Sequence, residues 1–154
     1  MLCIDKSQWN LILTLHIYNY YMYLPRDDLE EKITQLYDIL RNATQATEAM
    51  KLLINELKER CFLEDFEGKE PLLHLAIATT IPEIIDLVLL MPINHHQRNS
   101  KKQCPLTTIV LTRNFELLEK YLRLCFSPCQ DQDNKTALTY ALETGQTDMA
   151  KVIP

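Results

Sequence analysis

GKEPLLHLA at Gly68–Ala76, CPLTTIV at Cys104–Val110 and NKTALTYA at Asn134–Ala141 share one pattern of small, polar and apolar residues. A second apolar run follows each stretch and opens with an acidic residue, at spacings of 33 and then 32 residues: Glu83, Glu116 and Asp148. A period near 33 residues is typical of stacked helical repeats, in which no single unit can bury its apolar face alone. The pattern therefore predicts an α-helical array whose mode of action is binding.

The composition agrees with a folded, mainly helical chain. Of the 154 residues, 47% are apolar and 24% are charged, which is ordinary for a globular protein. Only Gly68 and Gly145 are glycines. Positions that need positive φ are therefore hard to fill, so hairpins and phosphate-binding loops are not expected. We expect an all-α protein.

The charge balance and the apolar segments exclude several classes of partner. The net charge is −5, with no basic half, which disfavours nucleic acid as the main partner. The most apolar segment, residues 11–24, is shorter than the ~20 residues that cross a bilayer, so we expect no membrane partner. The five cysteines form no disulfide pattern. A reducing, intracellular location, cytoplasmic or nuclear, is the expectation.

Residues 1–64 predict a three-helix N-terminal region. The first helix spans residues 7–24 and the third runs from about residue 44 to residue 60. Between them Asp27 and Glu30 have the spacing of a capping box, and Asn42 ends the helix. The apolar stripe of this second helix recurs at helical spacing: Leu29, Ile33, Leu36, Tyr37 and Leu40.

Two interpretations of this N-terminal region remain open. It is either a cap that covers the apolar end of the array, since terminal units of repeat proteins are atypical, or a separate interaction module. For the second, Leu24–Leu29 faintly resembles the start of an F-box, a helical adaptor to a ubiquitin ligase, although Lys32 stands where an F-box has an aliphatic residue.

The repeating stretches resemble the ankyrin-repeat family over residues 65–154, with about three divergent units at 65–97, 98–130 and 131–154. The last unit carries the pattern best, through Asp131, Asn134, Thr136, Leu138, Ala141, Gly145 and Asp148. The first unit keeps Gly68, Pro71, His74, Ala76 and Glu83, with one extra residue between its glycine and its histidine. The middle unit keeps Pro105, Leu106 and Glu116, whereas Cys104, Thr107 and Arg113 replace the family's Thr, His and Gly.

The resemblance implies an ankyrin-like α-solenoid, with two antiparallel helices per unit and projecting loops. It also implies that a partner protein binds the concave surface of the first helices. The residues that the resemblance places there are Leu75, Ala78, Thr79, Thr108, Leu111, Thr112, Tyr140, Glu143 and Thr144. Leu75, Leu111 and Tyr140 are apolar at positions expected to face solvent, which is typical of a contact surface. The resemblance further implies that His74 ties neighbouring units by hydrogen bonds.

The loop between the first two units is longer and more basic than the others. It contributes five further candidates for partner binding, which are His95, His96, Arg98, Lys101 and Lys102. One interpretation is a finger that presents positive charge to an acidic partner segment. The other is a solvated connector.

No pattern of catalytic or metal-binding residues is found in the sequence. Cys125 and Cys129 with the adjacent His95 and His96 do not have the spacing of a zinc site. Walker-type, dinucleotide-binding and HExxH sequences are also missing. We expect no enzyme activity, no metal, no cofactor and no small-molecule substrate in this chain.

Three functional hypotheses follow from these patterns. The first is a protein-binding scaffold, the second an adaptor whose N-terminal helices recruit ubiquitin machinery, and the third the binding segment of a longer enzyme. The divergent units and low glycine content of the chain also suit a pathogen or viral protein that acts on host proteins in the host cytoplasm. The last predicted helix has barely one turn before Pro154, so we expect the natural protein to continue.

Overall fold

The structure is a computed structural model that describes residues 26–124 and 129–154, together with residues 6, 8–11 and 13, which are helical. The remainder of the predicted first helix lies outside the described residues, as does Cys125. The described part of the chain contains helices and no strand, so the predicted all-α class is confirmed.

The helices between residues 26 and 154 form successive antiparallel pairs. In chain order they are α1 (Arg26–Arg41), α2 (Glu48–Arg60), a short 3-10 helix (Leu63–Phe66), α3 (Leu72–Thr79), α4 (Pro82–Leu89), α5 (Pro105–Leu111), α6 (Phe115–Leu124), α7 (Ala137–Glu143) and α8 (Thr147–Val152). The last helix has six residues, more than the single turn predicted. The three later pairs, α3/α4, α5/α6 and α7/α8, are called the first, middle and last units below.

The N-terminal pair forms as the apolar spacing predicts. All five residues of the predicted stripe on α1 are buried: Leu29, Ile33, Leu36, Tyr37 and Leu40. The predicted cap is wrong, because the helix already includes Arg26 and Asp27 is not its N-cap. The next helix is capped by Thr47, whose hydroxyl accepts a hydrogen bond from the amide of Met50 at 3.2 Å.

The turn between the two helices of each unit has the same backbone in all three units. Thr80, Arg113 and Gly145 have φ of 59°, 60° and 75°. They are separated by 33 and 32 residues, as are the acidic residues Glu83, Glu116 and Asp148. In each turn the amide of the residue with positive φ donates to the carbonyl three residues earlier, at 3.1, 3.0 and 3.2 Å. The first two units therefore make this turn without glycine.

The loops before α5 and α7 also share one backbone. The carbonyls of Gln103 and Lys135 accept from the amides of Asn99 and Asp131 at 3.0 and 2.9 Å. The side-chain oxygen of Asn99 accepts from two amides within its own loop, both at 3.0 Å. A carboxylate oxygen of Asp131 likewise accepts from the amides of Asp133 and Lys135, at 2.8 and 3.0 Å. Each loop therefore folds around one polar side chain at its start.

Successive pairs pack side by side. The first helices of the pairs contact one another in the order α1, α3, α5 and α7, while α2 contacts α4 and α6 contacts α8. The buried side chains of all pairs join in one core. Leu90 is exposed, because α4 ends at Leu89 and the core position belongs to Val88.

Candidate partner-binding surface

The exposed side of α3, α5 and α7, together with the loops that precede these helices, is called the first-helix surface. Equivalent positions of the three units face solvent there, at Ala78, Leu111 and Glu143. Leu111 is the most exposed large apolar residue among the predicted site residues, at 42%. Leu75 and Tyr140, one turn earlier in their helices, are half-buried. The predicted row of three exposed apolar anchors thus reduces to one exposed anchor, Leu111, and two half-buried residues.

Three of the predicted site residues end their helices. The hydroxyls of Thr79, Thr112 and Thr144 donate to carbonyls of the preceding turn, and the shortest distance in each case is 2.6, 2.9 and 2.7 Å. A helix leaves its last four carbonyls without partners, so a threonine here satisfies one of them. These residues therefore shape the turn behind the surface, and their hydroxyls are already engaged.

Thr108 is joined to the neighbouring unit. Its hydroxyl lies 2.7 Å from Nδ1 of the buried His74, whose Nε2 lies 2.9 Å from the carbonyl oxygen of Gln97. With Nε2 protonated, the ring donates to this carbonyl and accepts from the threonine hydroxyl. Burial lowers the pKa of His74 below its usual value, and the hydrogen bond to Gln97 opposes this effect. The predicted role of His74 as a tie between units agrees with these contacts.

Tyr140 is held in place by its own loop. Its hydroxyl donates to the carboxylate of Asp131, and the ammonium of Lys135 lies 5.5 Å from the centre of its ring. The hydrogen bond from Tyr140 is the main reason why the pKa of Asp131 is lowered. Lys135 also pairs with Glu143 at 3.0 Å. These four residues form a bonded group on the last unit, with little freedom to rearrange.

The loops bind to one another and so form a continuous edge. The side-chain amide of Gln97 donates to the carbonyl of Lys69 at 3.2 Å, and the backbone amide of Gln132 donates to the carbonyl of Lys101 at 3.2 Å. Tyr121 of α6 donates from its hydroxyl to the carbonyl of His95 at 2.8 Å. The backbone of the basic loop is therefore fixed on both sides, which argues against an unattached connector.

Most of the basic side chains of this loop point into solvent. His96, Arg98, Lys101 and Lys102 are exposed, whereas His95 is half-buried. Arg98 reaches the carbonyl of Gln130 at 3.5 Å, and no carboxylate among the described residues lies within ion-pair distance of the three cations. The predicted finger thus presents positive charge that is not neutralised by the described part of the chain.

Arg113 is the residue of this surface that the sequence analysis missed as a candidate. It is exposed at the end of α5, next but one to Leu111, and reaches the carbonyl of Thr144 at 3.4 Å. The sequence analysis noted it only as a substitute for glycine in a turn. A cation in a position that prefers glycine is the signal that identifies it.

Metal-binding arrangements are not observed in the parts of the chain that the structure describes. No group of three His, Cys, Asp or Glu side chains is placed to hold a metal ion among the described residues. Burial is the main cause that raises the pKa of Cys129 to about 11, followed by its contact with Cys104, so this thiol is a poor nucleophile. Within the same residues, no helix has the length and apolarity needed to cross a membrane.

Comparison with models of known protein families and with curated proteins finds no match to this chain.

Proposed function

We propose that this chain is a non-catalytic scaffold that binds another protein through the first-helix surface, and that its units stack as an ankyrin-like α-solenoid. The proposal is supported by one observation above the others. Three units repeat the same turn with positive φ at Thr80, Arg113 and Gly145, and expose the equivalent positions Ala78, Leu111 and Glu143. A repeated backbone with side chains that differ from unit to unit gives a fixed support for a variable surface.

The preorganisation of the surface supports the same proposal. The loops are tied to one another and to the helices behind them, as the bonds at Gln97, Gln132 and Tyr121 show. A partner that binds such an edge does not have to order it, so little entropy is lost from the scaffold. Leu111 supplies an exposed aliphatic anchor near the centre of the three units.

The contacts of the N-terminal pair favour the cap over the separate adaptor module. Tyr37 donates to the carbonyl of Glu70 at 2.7 Å, and Arg41 pairs with the carboxylate of the same residue at 2.8 Å. Lys51 of α2 pairs with Glu83 of α4 at 2.7 Å. Both helices of the N-terminal pair are therefore bonded to the first unit, as expected of a unit that closes one end of an array.

The test is affinity capture with the full chain and two variants that place a charge on the first-helix surface, Leu111→Glu and Ala78→Glu. Both residues are exposed, so neither change should unfold the protein. The matched control is Leu52→Glu on α2, where the leucine is 69% exposed and lies away from this surface. We expect one set of proteins to be recovered with the native chain and the control and lost with both surface variants. Recovery of the same set by all four chains would refute the proposal.

A further inference from the structure

The middle unit carries its positive charges at unusual backbone positions. Lys102, before α5, and Arg113, after it, have φ of 61° and 60°. In the last unit the equivalent positions are Asn134 and Gly145, and in the first unit they are Gly68 and Thr80, of which Thr80 also has positive φ at 59°. Left-handed backbone strains a lysine or an arginine, whereas glycine, and to a lesser degree asparagine, accept it easily. The middle unit thus keeps two strained cations, one at each end of its first helix, where unstrained residues would serve the fold.

These cations also differ from those between residues 32 and 69, because no carboxylate among the described residues lies within ion-pair distance of them. Each of the six lysines and arginines between residues 32 and 69 lies within 4.0 Å of a carboxylate oxygen: Lys32, Arg41, Lys51, Lys58, Arg60 and Lys69. No such ion pair is found among the described residues for the next four, which are Arg98, Lys101, Lys102 and Arg113. In a chain of net charge −5 this contrast is marked, because acidic residues outnumber basic ones by five.

The four cations lie on either side of one exposed apolar residue along the chain. Arg98, Lys101 and Lys102 precede α5, Arg113 follows it, and Leu111 lies exposed between them. Arg98, Lys101, Lys102 and Arg113 are together called the cation band. Strained residues that the fold does not need are a reason to look for function at that place. A cationic rim around an aliphatic side chain is complementary to a peptide with acidic residues beside an aliphatic one.

We infer that the partner segment bound at the middle unit is an acidic peptide with an aliphatic side chain, which docks across α5 between Lys102 and Arg113 and packs on Leu111. This inference rests on the protein-binding function proposed above and specifies the chemistry of the partner.

The neighbouring charges favour a short acidic peptide over a nucleic acid. The exposed residues Glu64, Glu67 and Glu70 precede α3 on one side, and Asp133 precedes α7 on the other. The cation band is therefore about one helix spacing wide, or ~10 Å. A nucleic acid carries charge at every phosphate, so it would meet negative side chains on both sides of the band. A peptide with a few acidic residues would not.

The experiment is a selection of random 12-residue peptides displayed on phage, with the full chain as the immobilised target. We expect the selected peptides to be enriched in Asp and Glu, and to contain a Leu, Ile or Val that is required for binding. Synthetic fluorescent versions of the selected peptides then give Kd for the native chain and its variants. A fluorescent single-stranded 12-mer of deoxythymidylate is the nucleic acid probe, and we expect no saturable binding.

The deciding variant combines Lys102→Asn with Arg113→Gly, which installs the residues that the last unit has at these positions. Loss of two cations should weaken peptide binding by about tenfold or more and reduce its dependence on salt. Relief of the strained backbone should raise Tm at the same time, so that weaker binding cannot be attributed to unfolding. The matched control is Arg123→Gln with Lys151→Gln, which removes two exposed cations from α6 and α8. We expect it to leave Kd within twofold.

Four results would overturn the inference. The first is selected peptides without enrichment in acidic residues; if these still require Leu111, the proposed binding surface remains and only the acidic partner is refuted. The second is equal weakening by the deciding variant and by the control. The third is tighter binding of the oligonucleotide than of any peptide, which would identify the cation band as a nucleic acid site. Failure to select any peptide would refute the inference as well.

Discussion

The middle and last units have the same backbone but different side chains at the positions that define it. The last unit begins α7 with Thr136, which caps the helix by accepting from the amide of Thr139 at 3.3 Å, and it turns at Gly145. The middle unit begins α5 after Cys104, which makes no such side-chain cap, and it turns at Arg113. The comparison teaches that the repeated fold is carried by main-chain bonds and core packing. The side chains at the ends of the helices are therefore free to differ.

The largest difference between these units concerns equivalent positions on α5 and α7. Val110 is 0% exposed and Leu142 is 61% exposed. We expect Val110→Asp to lower the free energy of unfolding by more than about 4 kcal/mol, because it buries a charge in an apolar core, and Leu142→Asp to change it by less than about 0.5 kcal/mol. Urea unfolding followed by circular dichroism measures both. Similar losses in the two variants would mean that the units are not in the register described.

The second test compares the loops before these helices. Asn99→Ala and Asp131→Ala each leave two backbone amides without their acceptor. We expect a loss of about 2 kcal/mol for Asn99→Ala, which also loses a neutral bond to Gln103. We expect about 3 kcal/mol for Asp131→Ala, because the bond that it loses from Tyr140 is made to a charged carboxylate. Asp133→Ala is the control, because this residue is exposed, and it should change stability by less than about 0.5 kcal/mol. An Asn99→Ala variant with unchanged stability would show that the two loops are held differently.

The helices, their buried stripes and the turns could be predicted from sequence because each depends on residues close in the chain. The apolar spacing of α1 and the turn at Gly145 are examples. The 3-10 helix at Leu63–Phe66 was not predicted, since four residues give no periodicity. The positive φ of Lys102 was also missed, because neither its residue type nor its neighbours signal it.

The candidate site was harder to predict than the fold. Sequence register placed Thr79, Thr112 and Thr144 on the surface but could not show that their hydroxyls end the helices. The half-buried state of Tyr140 depends on Asp131 and Lys135, which lie up to nine residues away and in a different element. Such contacts follow only from the folded arrangement.

The third test exchanges the turn residues of the two units. Arg113→Gly should stabilise the protein by about 0.5–1 kcal/mol, because relief of the left-handed backbone exceeds the added entropy of the unfolded chain. Gly145→Ala should cost about 1 kcal/mol. No atom lies within 4 Å of a Cβ added at Gly145, so the conformation at φ 75° is the sole source of this cost. Thermal unfolding gives both values, and a destabilising Arg113→Gly would contradict the positive φ assigned to Arg113.

The smallest expected effect is a pH dependence at the contact between the first and middle units. The folded protein lowers the pKa of His74, so the unfolded chain binds the proton more readily. Stability from this residue is complete above the unfolded pKa of about 6.5 and declines as the pH falls below it. Urea unfolding between pH 7.5 and 5 measures the slope. His74→Gln is the control, and we expect a shallower slope for this variant; an unchanged slope would exclude His74 as its source.

NMR measurement of backbone φ, from amide–Hα couplings and chemical shifts, tests the repeated backbone most directly. The account predicts positive φ at Thr80, Arg113 and Gly145, at 59°, 60° and 75°, and at Lys102 and Asn134, at 61° and 60°. Negative φ at either residue would contradict it: at Arg113 the middle unit would lack the turn of the last unit, and at Lys102 it would lack the loop.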